Sequence, residues 1–333
     1  MRPAWKQVRY RLEWIAVSVA AVTVPWLPRV VCYWIAQIIG AIAAGVDRRG
    51  RRVALSNLAA AFGDSYSEAQ RARIVTDSYQ HFARTMIDLL WSPRLTPETF
   101  RESIDVSGIE QSLAAIEPTR SCVFVTFHYG NFEWAAKAMG FCGVPLLILT
   151  QEFKNPLLDP IFGRLRQHSG HEIAAREGAI IRMFKALKHG KHVAILSDLT
   201  LPLSQPNVFI DCFGLKTCVT FAHARLHRRT GAPLVPVIAE PLPGGRCRVL
   251  VQPQVEFAVD ATETEIAQAC WERFESVVRK NPAPWLWMYK HWRYRFSVSD
   301  PRYPFYAEAG PTLEARLVRQ GRLGSAKPPQ RTG

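Results

Sequence analysis

Acidic residues are scarce in this chain. Of 333 residues, 28 are Asp or Glu against 42 Lys or Arg, a formal net charge of +14. Such a surplus suits an anionic partner (nucleic acid, an acidic membrane surface or a phosphorylated substrate) and carries no information about the fold. No Cys-x-x-Cys pair occurs among Cys32, Cys122, Cys142, Cys212, Cys218, Cys247 and Cys270, and the count is odd. A disulfide framework and a four-thiolate zinc site are therefore disfavoured, and reduced, mostly buried thiols facing a cytoplasm are expected. Gly-x-Ser-x-Gly is missing, which removes the nucleophile elbow of a serine hydrolase or thioesterase. His-Glu-x-x-His is missing too. His223-x3-His227 shares a helical face but brings no third zinc ligand, and the pairs His168/His171 and His189/His192 straddle turns, so no metal is expected.

Charge is almost absent from Trp14 to Val46, where Arg29 stands alone. Pro25 and Pro28 split that stretch into Trp14–Val24 and Val30–Val46. As a helix the second piece covers roughly 26 Å, just short of a ~30 Å hydrocarbon core. Trp14, Trp26, Tyr33 and Trp34 are rings that favour a membrane interface, and arginines flank both sides (Arg9 and Arg11 before; Arg48, Arg49, Arg51 and Arg52 after). A cleaved signal peptide has no matching basic cluster behind it. The expectation is a re-entrant or interfacial hairpin with both flanks cytoplasmic, against the alternative of two core helices.

Hydrophobic residues make up 48 %, enough for a full core. Residues 53–120 read as helical, with Ser67-x-x-Gln70 a capping box opening a helix through Leu90. Beyond them, short apolar runs alternate with amphipathic segments. Strands are expected at 121–127, Val144–Leu149, near Ile173, and at His192–Leu196, Leu234–Ala239 and Cys247–Val255. Helices are expected at Phe132–Met139, Leu157–His168, Ala179–Lys188, Thr217–Arg229 and Thr264–Arg279. That alternation predicts an α/β fold with a mixed, mostly parallel sheet flanked by helices. Three regions follow: a membrane-associated segment over 1–52, a catalytic domain over 53–300, and a flexible tail rich in Pro, Gly and Arg over 301–333.

The chemistry concentrates in Phe127-His128-Tyr129-Gly130-Asn131-Phe132-Glu133-Trp134, which follows a buried strand and opens a helix. Strand C-terminal ends in open α/β sheets face the ligand crevice. Asn131 can cap the helix and place Glu133 in its first turn, from which the carboxylate is expected to turn back and orient the His128 imidazole as a general base. A turn histidine beside a glutamate that merely suits the helix dipole is the plainer alternative.

His128-x4-Glu133, in the form His-Tyr-Gly-Asn-Phe-Glu, resembles the signature of the bacterial lauroyl and myristoyl acyltransferases of lipid A biosynthesis. That family belongs with the mycobacterial phosphatidylinositol mannoside acyltransferases in the lysophospholipid acyltransferase group. The resemblance continues through Asn155–Asp159, Arg164–Gly170, Arg176-Glu177-Gly178, Leu187–Gly190, Ser197-Asp198, Phe213-Gly214 and Thr230–Pro236. It ends in the aromatic block Pro284–Trp292. It implies a lysophospholipid acyltransferase-like fold and an O-acyltransferase without a covalent acyl-enzyme. His128 would deprotonate an acceptor hydroxyl and Glu133 would orient it. Arg166 and Asp198 match two further positions of the family's site. Arg166 would hold a phosphate or polarise the thioester carbonyl, and Asp198 would position that arginine or a sugar hydroxyl. Arg164, Arg176 and Asn131 complete the candidate substrate contacts.

By the same resemblance the donor is an acyl carrier protein or coenzyme A thioester, the acceptor an anionic glycolipid such as a lipid A precursor, and no cofactor is needed. The place of action is the cytoplasmic face of a bacterial inner membrane, with no nucleic acid involved. Lysophospholipid, phosphatidylinositol mannoside and ornithine-lipid acceptors fit the residues as well. A non-enzymatic lipid- or nucleic-acid-binding protein explains the charge and the aromatic–cation mixture at Trp285–Arg295, through base stacking or a lipid interface, with Trp285 and Trp287 packed in the core as the plainer alternative. It leaves the His128 constellation unexplained.

Overall fold

The computed structural model describes residues 4–109, 112, 121–150, 153–175, 178–296 and 300–309. Its N-terminal third is helical: α1 (Ala4–Thr23), α2 (Arg29–Val46), α3 (Arg48–Phe62) and α4 (Glu68–Trp91). The turn between α1 and α2 contains Pro25 and Pro28, where the missing N–H groups forbid a continuous helix. Asp47 caps α3 by accepting from Gly50 N and also accepts from the Tyr79 hydroxyl. The capping box at the start of α4 is formed in both directions, Gln70 N to Ser67 Oγ and Ser67 N to Gln70 Oε1.

Helix α2 is not a detached segment. Cys32, Ala36, Gly40 and Ala44, spaced by four, bury one face of it. At Gly40 the absent side chain admits the α4 backbone at Gln80. Near its start, Arg29 makes a two-pronged ion pair with Asp88 of α4 (2.5 and 3.0 Å). The opposite face stays outside: Trp34, Ile38, Ile39, Ile42 and Val46 are exposed, as are Trp5, Leu12, Ile15 and Val19 of α1. By length and composition α2 is apolar enough to cross a membrane.

The helical reading of 53–120 is interrupted after Trp91, at the prolines expected to punctuate it. Pro93 and Pro97 break the pattern, and short 3₁₀ turns lead into strand β1 (Ile104–Asp105). Residues 110–111 and 113–120 lie outside the described set. The remaining elements are β2 (Val123–Thr126), α5 (Phe132–Phe141), β3 (Leu146–Thr150), α6 (Asp159–Gln167), β4 (Glu172–Ala175), α7 (Ala179–Lys188), β5 (His192–Leu196), β6 (Val208–Cys212), β7 (Leu215–Val219), α8 (Ala222–Thr230), β8 (Leu234–Pro241), β9 (Cys247–Val251) and α9 (Glu263–Lys280). Seven strands form one sheet in the order β1-β9-β8-β2-β5-β3-β4, parallel throughout except for β8 against β9. The fold is thus α/β with a mixed, mostly parallel sheet between helices.

One helix was placed too early. The first residues of Thr217–Arg229 belong to an antiparallel hairpin, β6 and β7, and α8 begins only at Ala222. Its tight turn, Phe213-Gly214, puts both residues at positive φ (52° and 74°). That turn normally takes Asn-Gly, so phenylalanine there gives no signal. Residues 300–309 also differ from the expected flexible tail. Tyr303 is buried, the Tyr306 hydroxyl donates to Asn57 Oδ1, and the Phe305 ring covers the Arg52 guanidinium. Residues 310–333 lie outside the described set.

Candidate active site

Parallel strands β2 and β5 are neighbours with Thr126 opposite Leu196. Two residues beyond each partner stand His128 and Asp198, so the register alone delivers them to the same place. His128 Nδ1 lies 2.8 Å from Asp198 Oδ1, and His128 N donates to Asp198 Oδ2 (3.1 Å). Trp285 Nε1 donates to the same Oδ2 (3.0 Å). Asp198 is buried; burial pushes its carboxyl up, but the His128 ring beside it, with help from His291 and Trp285, holds it below the usual carboxylate range.

The loop carrying His128 is braced on several sides. Gly130 has φ +54°, and a Cβ there would overlap the Ala239 carbonyl oxygen on β8. Gly130 N donates to Pro284 O (3.1 Å), Gly130 O accepts from Thr85 Oγ1 (2.9 Å), and Leu286 N donates to His128 O (3.2 Å). Asn131 then caps α5 by accepting from Trp134 N (3.0 Å), while its amide donates to Asp88 Oδ2 (2.7 Å).

The two carboxylates have exchanged the partners expected for them. Glu133 does not orient His128; helix α5 turns it toward α6. There Arg166 binds it with Nε to both oxygens (3.1 Å each) and Nη2 to Oε1 (2.6 Å). Burial works against the Arg166 charge, but Glu133 outweighs it and holds the guanidinium above its ordinary value. Asp198, expected to hold that arginine or a sugar, holds the imidazole instead. Lys137, one turn beyond Glu133, is buried and donates to the Leu165 carbonyl; burial lowers its ammonium to about 8, with Glu133 opposing.

His128, Glu133 and Arg166 line one cavity of about 520 Å³. Its inner wall is apolar: Phe124, Ala136, Met139, Leu146, Ile148 and Ala194. Thr200, Tyr289 and Arg293 are also on its wall. Among the described residues that line it, Asn131 and Arg164 do not appear: Asn131 is spent on its two structural bonds, and Arg164 is exposed on α6. Arg176 lies outside the described residues. The histidine pair on α8 is also apart from the site. His227 Nδ1 bonds the Ala232 carbonyl (2.8 Å), and His223 is buried with neither ring nitrogen hydrogen-bonded.

The aromatic block is core rather than a stacking surface. Trp285, Trp287 and Trp292 are fully buried, and Trp285 stacks on His291 with ring centroids 3.9 Å apart. No base can reach those faces. Sequence reasoning weighed this block for base stacking, lipid contact and core packing of Trp285 and Trp287, and missed Trp285 as a donor to Asp198 and Tyr289 and Arg293 as cavity wall. The Trp/Lys/Arg alternation was their only signal.

A model of the family "Bacterial lipid A biosynthesis acyltransferase" matches residues 2–294. The chain belongs to that family. As an acyltransferase it is similar to the lipid A biosynthesis myristoyltransferase of Escherichia coli strain K12, 23 % identical over 290 residues, 86 % of this chain and 88 % of the relative. It is also similar to the lipid A biosynthesis acyltransferase of Haemophilus influenzae, 21 % identical over 258 residues, 76 % of this chain and 79 % of that protein. The phosphatidylinositol mannoside acyltransferase of Mycolicibacterium smegmatis is 24 % identical over 223 residues, 66 % of this chain and 72 % of that protein. Family and relatives agree with the resemblance read from the acyltransferase's motifs.

Proposed function

We propose that this protein is a membrane-associated O-acyltransferase that moves a fatty acyl chain from a thioester to a hydroxyl of an anionic glycolipid. The observation that carries the reading is an imidazole fixed by a buried carboxylate at the edge of a deep apolar cavity. With Nδ1–H donated to Asp198, the other nitrogen, Nε2, holds the lone pair. It accepts the acceptor hydroxyl proton as that oxygen attacks the thioester carbonyl. The new C–O bond forms, the C–S bond breaks, and the leaving thiolate takes the proton back from the imidazolium. His128 is the general base and Asp198 its positioning residue. Glu133 fixes Arg166 on the wall, where the guanidinium contributes positive potential toward the developing oxyanion.

The cavity receives the acyl chain. From Thr150 down to Leu146 the β3 wall descends roughly 13 Å. An extended chain advances about 1.2 Å per bond, so about ten bonds fit below the strand ends. The donor is an acyl carrier protein or coenzyme A thioester, and no cofactor takes part. The exposed apolar faces of α1 and α2, rich in tryptophan, rest in the bilayer interface on its cytoplasmic side. The lipid A precursor is the favoured acceptor because the family and two of the relatives named above carry that designation.

The test is acyl transfer by detergent-solubilised protein, read by mass spectrometry of the lipid product. His128→Ala is expected to lose transfer while keeping its unfolding temperature. Full activity in that variant removes the mechanism.

A further inference from the structure

We infer that Arg293 is the substrate-phosphate ligand of this acyl-transfer site, an inference that rests on the function proposed above. The cavity wall carries two guanidinium groups, Arg166 and Arg293. They are in opposite states. Arg166 is ion-paired with Glu133 through three hydrogen bonds. Arg293 has no carboxylate partner among the described residues. Its Nη2 donates to the Tyr289 hydroxyl (2.9 Å), its guanidinium lies 5.3 Å from that ring's centre, and its Nε is buried without any hydrogen bond.

A permanent cation on the cavity wall with no carboxylate beside it attracts an incoming oxyanion, which supplies the missing counter-charge and accepts from the guanidinium N–H groups that the tyrosine contact leaves over. The arginine is also aimed by the site itself. The Tyr289 hydroxyl donates to Thr200 O (2.9 Å), and Thr200 follows the Asp198 that holds His128 by two residues. The same short segment places Lys290 beside Arg48, Arg49 and Arg52 around a second surface depression. Lys290, three residues before Arg293, thus belongs to a basic surface cluster that suits a doubly charged phosphate. The ligand chemistry is a phosphate ester, carried either by the thioester donor or by the glycolipid acceptor.

The experiment compares dodecanoyl-coenzyme A with dodecanoyl-N-acetylcysteamine as donors, and a glucosamine-disaccharide bisphosphate lipid with its dephosphorylated form as acceptors. Wild type, Arg293→Gln and Arg293→Lys are each assayed on every pair. Arg293→Gln is expected to raise KM by roughly tenfold to a hundredfold, the range of one charge-assisted hydrogen bond, with kcat little changed and partial rescue by lysine. A rise confined to the coenzyme A thioester assigns the donor phosphate; a rise confined to the bisphosphate lipid assigns the acceptor phosphate. A fall in kcat that is equal with and without phosphate overturns the inference in favour of oxyanion stabilisation. An unchanged KM overturns it as well. Should Arg293→Gln fail to fold, the wild type decides: equal kcat/KM for phosphorylated and phosphate-free substrates refutes the assignment. Absence of transfer with every pair refutes the proposed function, whereas transfer that ignores phosphate refutes only the role of Arg293.

Discussion

Asp198→Asn separates the observed imidazole–carboxylate pair from the one the sequence motif suggests. The Asp198 carboxylate receives three donors: His128 N and Trp285 Nε1 on Oδ2, and His128 Nδ1–H on Oδ1. An asparagine has one acceptor oxygen. Its best placement keeps that oxygen at the Oδ2 position, where two donors converge, and puts its NH₂ at the Oδ1 position. The amide then donates to Nδ1 and moves the imidazole proton to Nε2, the nitrogen that must stay unprotonated. The three contacts at the carboxylate all remain hydrogen bonds, so the fold is expected to keep its unfolding temperature within a few degrees. Activity is expected to fall by about 10⁴-fold in kcat, the scale seen where a carboxylate fixes a catalytic histidine's tautomer. The assay is single-turnover acyl transfer beside thermal unfolding by circular dichroism. Near-wild-type kcat in Asp198→Asn, together with a collapse in Glu133→Gln at unchanged stability, would refute the argument and restore Glu133 as the partner of His128.

Glu133→Gln itself is expected to act through stability: it strips the Arg166 guanidinium of its counter-charge and costs about 3 kcal/mol, measured as a shift in denaturant midpoint. Gly130→Ala is expected to lower kcat by at least ~10²-fold or to prevent soluble expression, since the added carbon must displace the loop that aims His128; wild-type turnover in a soluble protein contradicts the geometry. Acid sensitivity is expected from His223, which burial lowers to about 4. Between about 6.5 and 4 the unfolded chain binds a proton there that the folded chain does not, so stability is lost as pH falls through that window, by up to about 3 kcal/mol. A melting-temperature profile flattened below pH 6.5 in His223→Gln checks this, and an unchanged slope counts against it.

Much of the frame was readable because local signals and tertiary packing agree. Ser67 and Gln70 bracket α4 as written, and the β-branched runs at Val123–Thr126 and His192–Leu196 are buried parallel strands. His128 was readable as a site candidate because it follows a buried strand. Its partner was not, because Glu133 is near in sequence and Asp198 is 70 residues away. A helix cap at Asn131 rotates Glu133 toward α6, and only the β2–β5 register reveals that His128 and Asp198 stand equally far past their strands. The β6–β7 hairpin was hidden by a phenylalanine at a left-handed turn position. The packing of residues 300–309 was hidden by a composition that elsewhere signals disorder, since two tyrosines and one phenylalanine outweigh it.

The bracing of the His128 loop has a consequence for biosynthesis. Gly130 N donates to the Pro284 carbonyl, Leu286 N donates to the His128 carbonyl, and Asp198 accepts from Trp285. A growing polypeptide that has not yet emerged through this tryptophan-rich stretch lacks the scaffold for its His128 loop. Ribosome-bound intermediates are expected to lack acyl-transfer activity until translation has passed these residues.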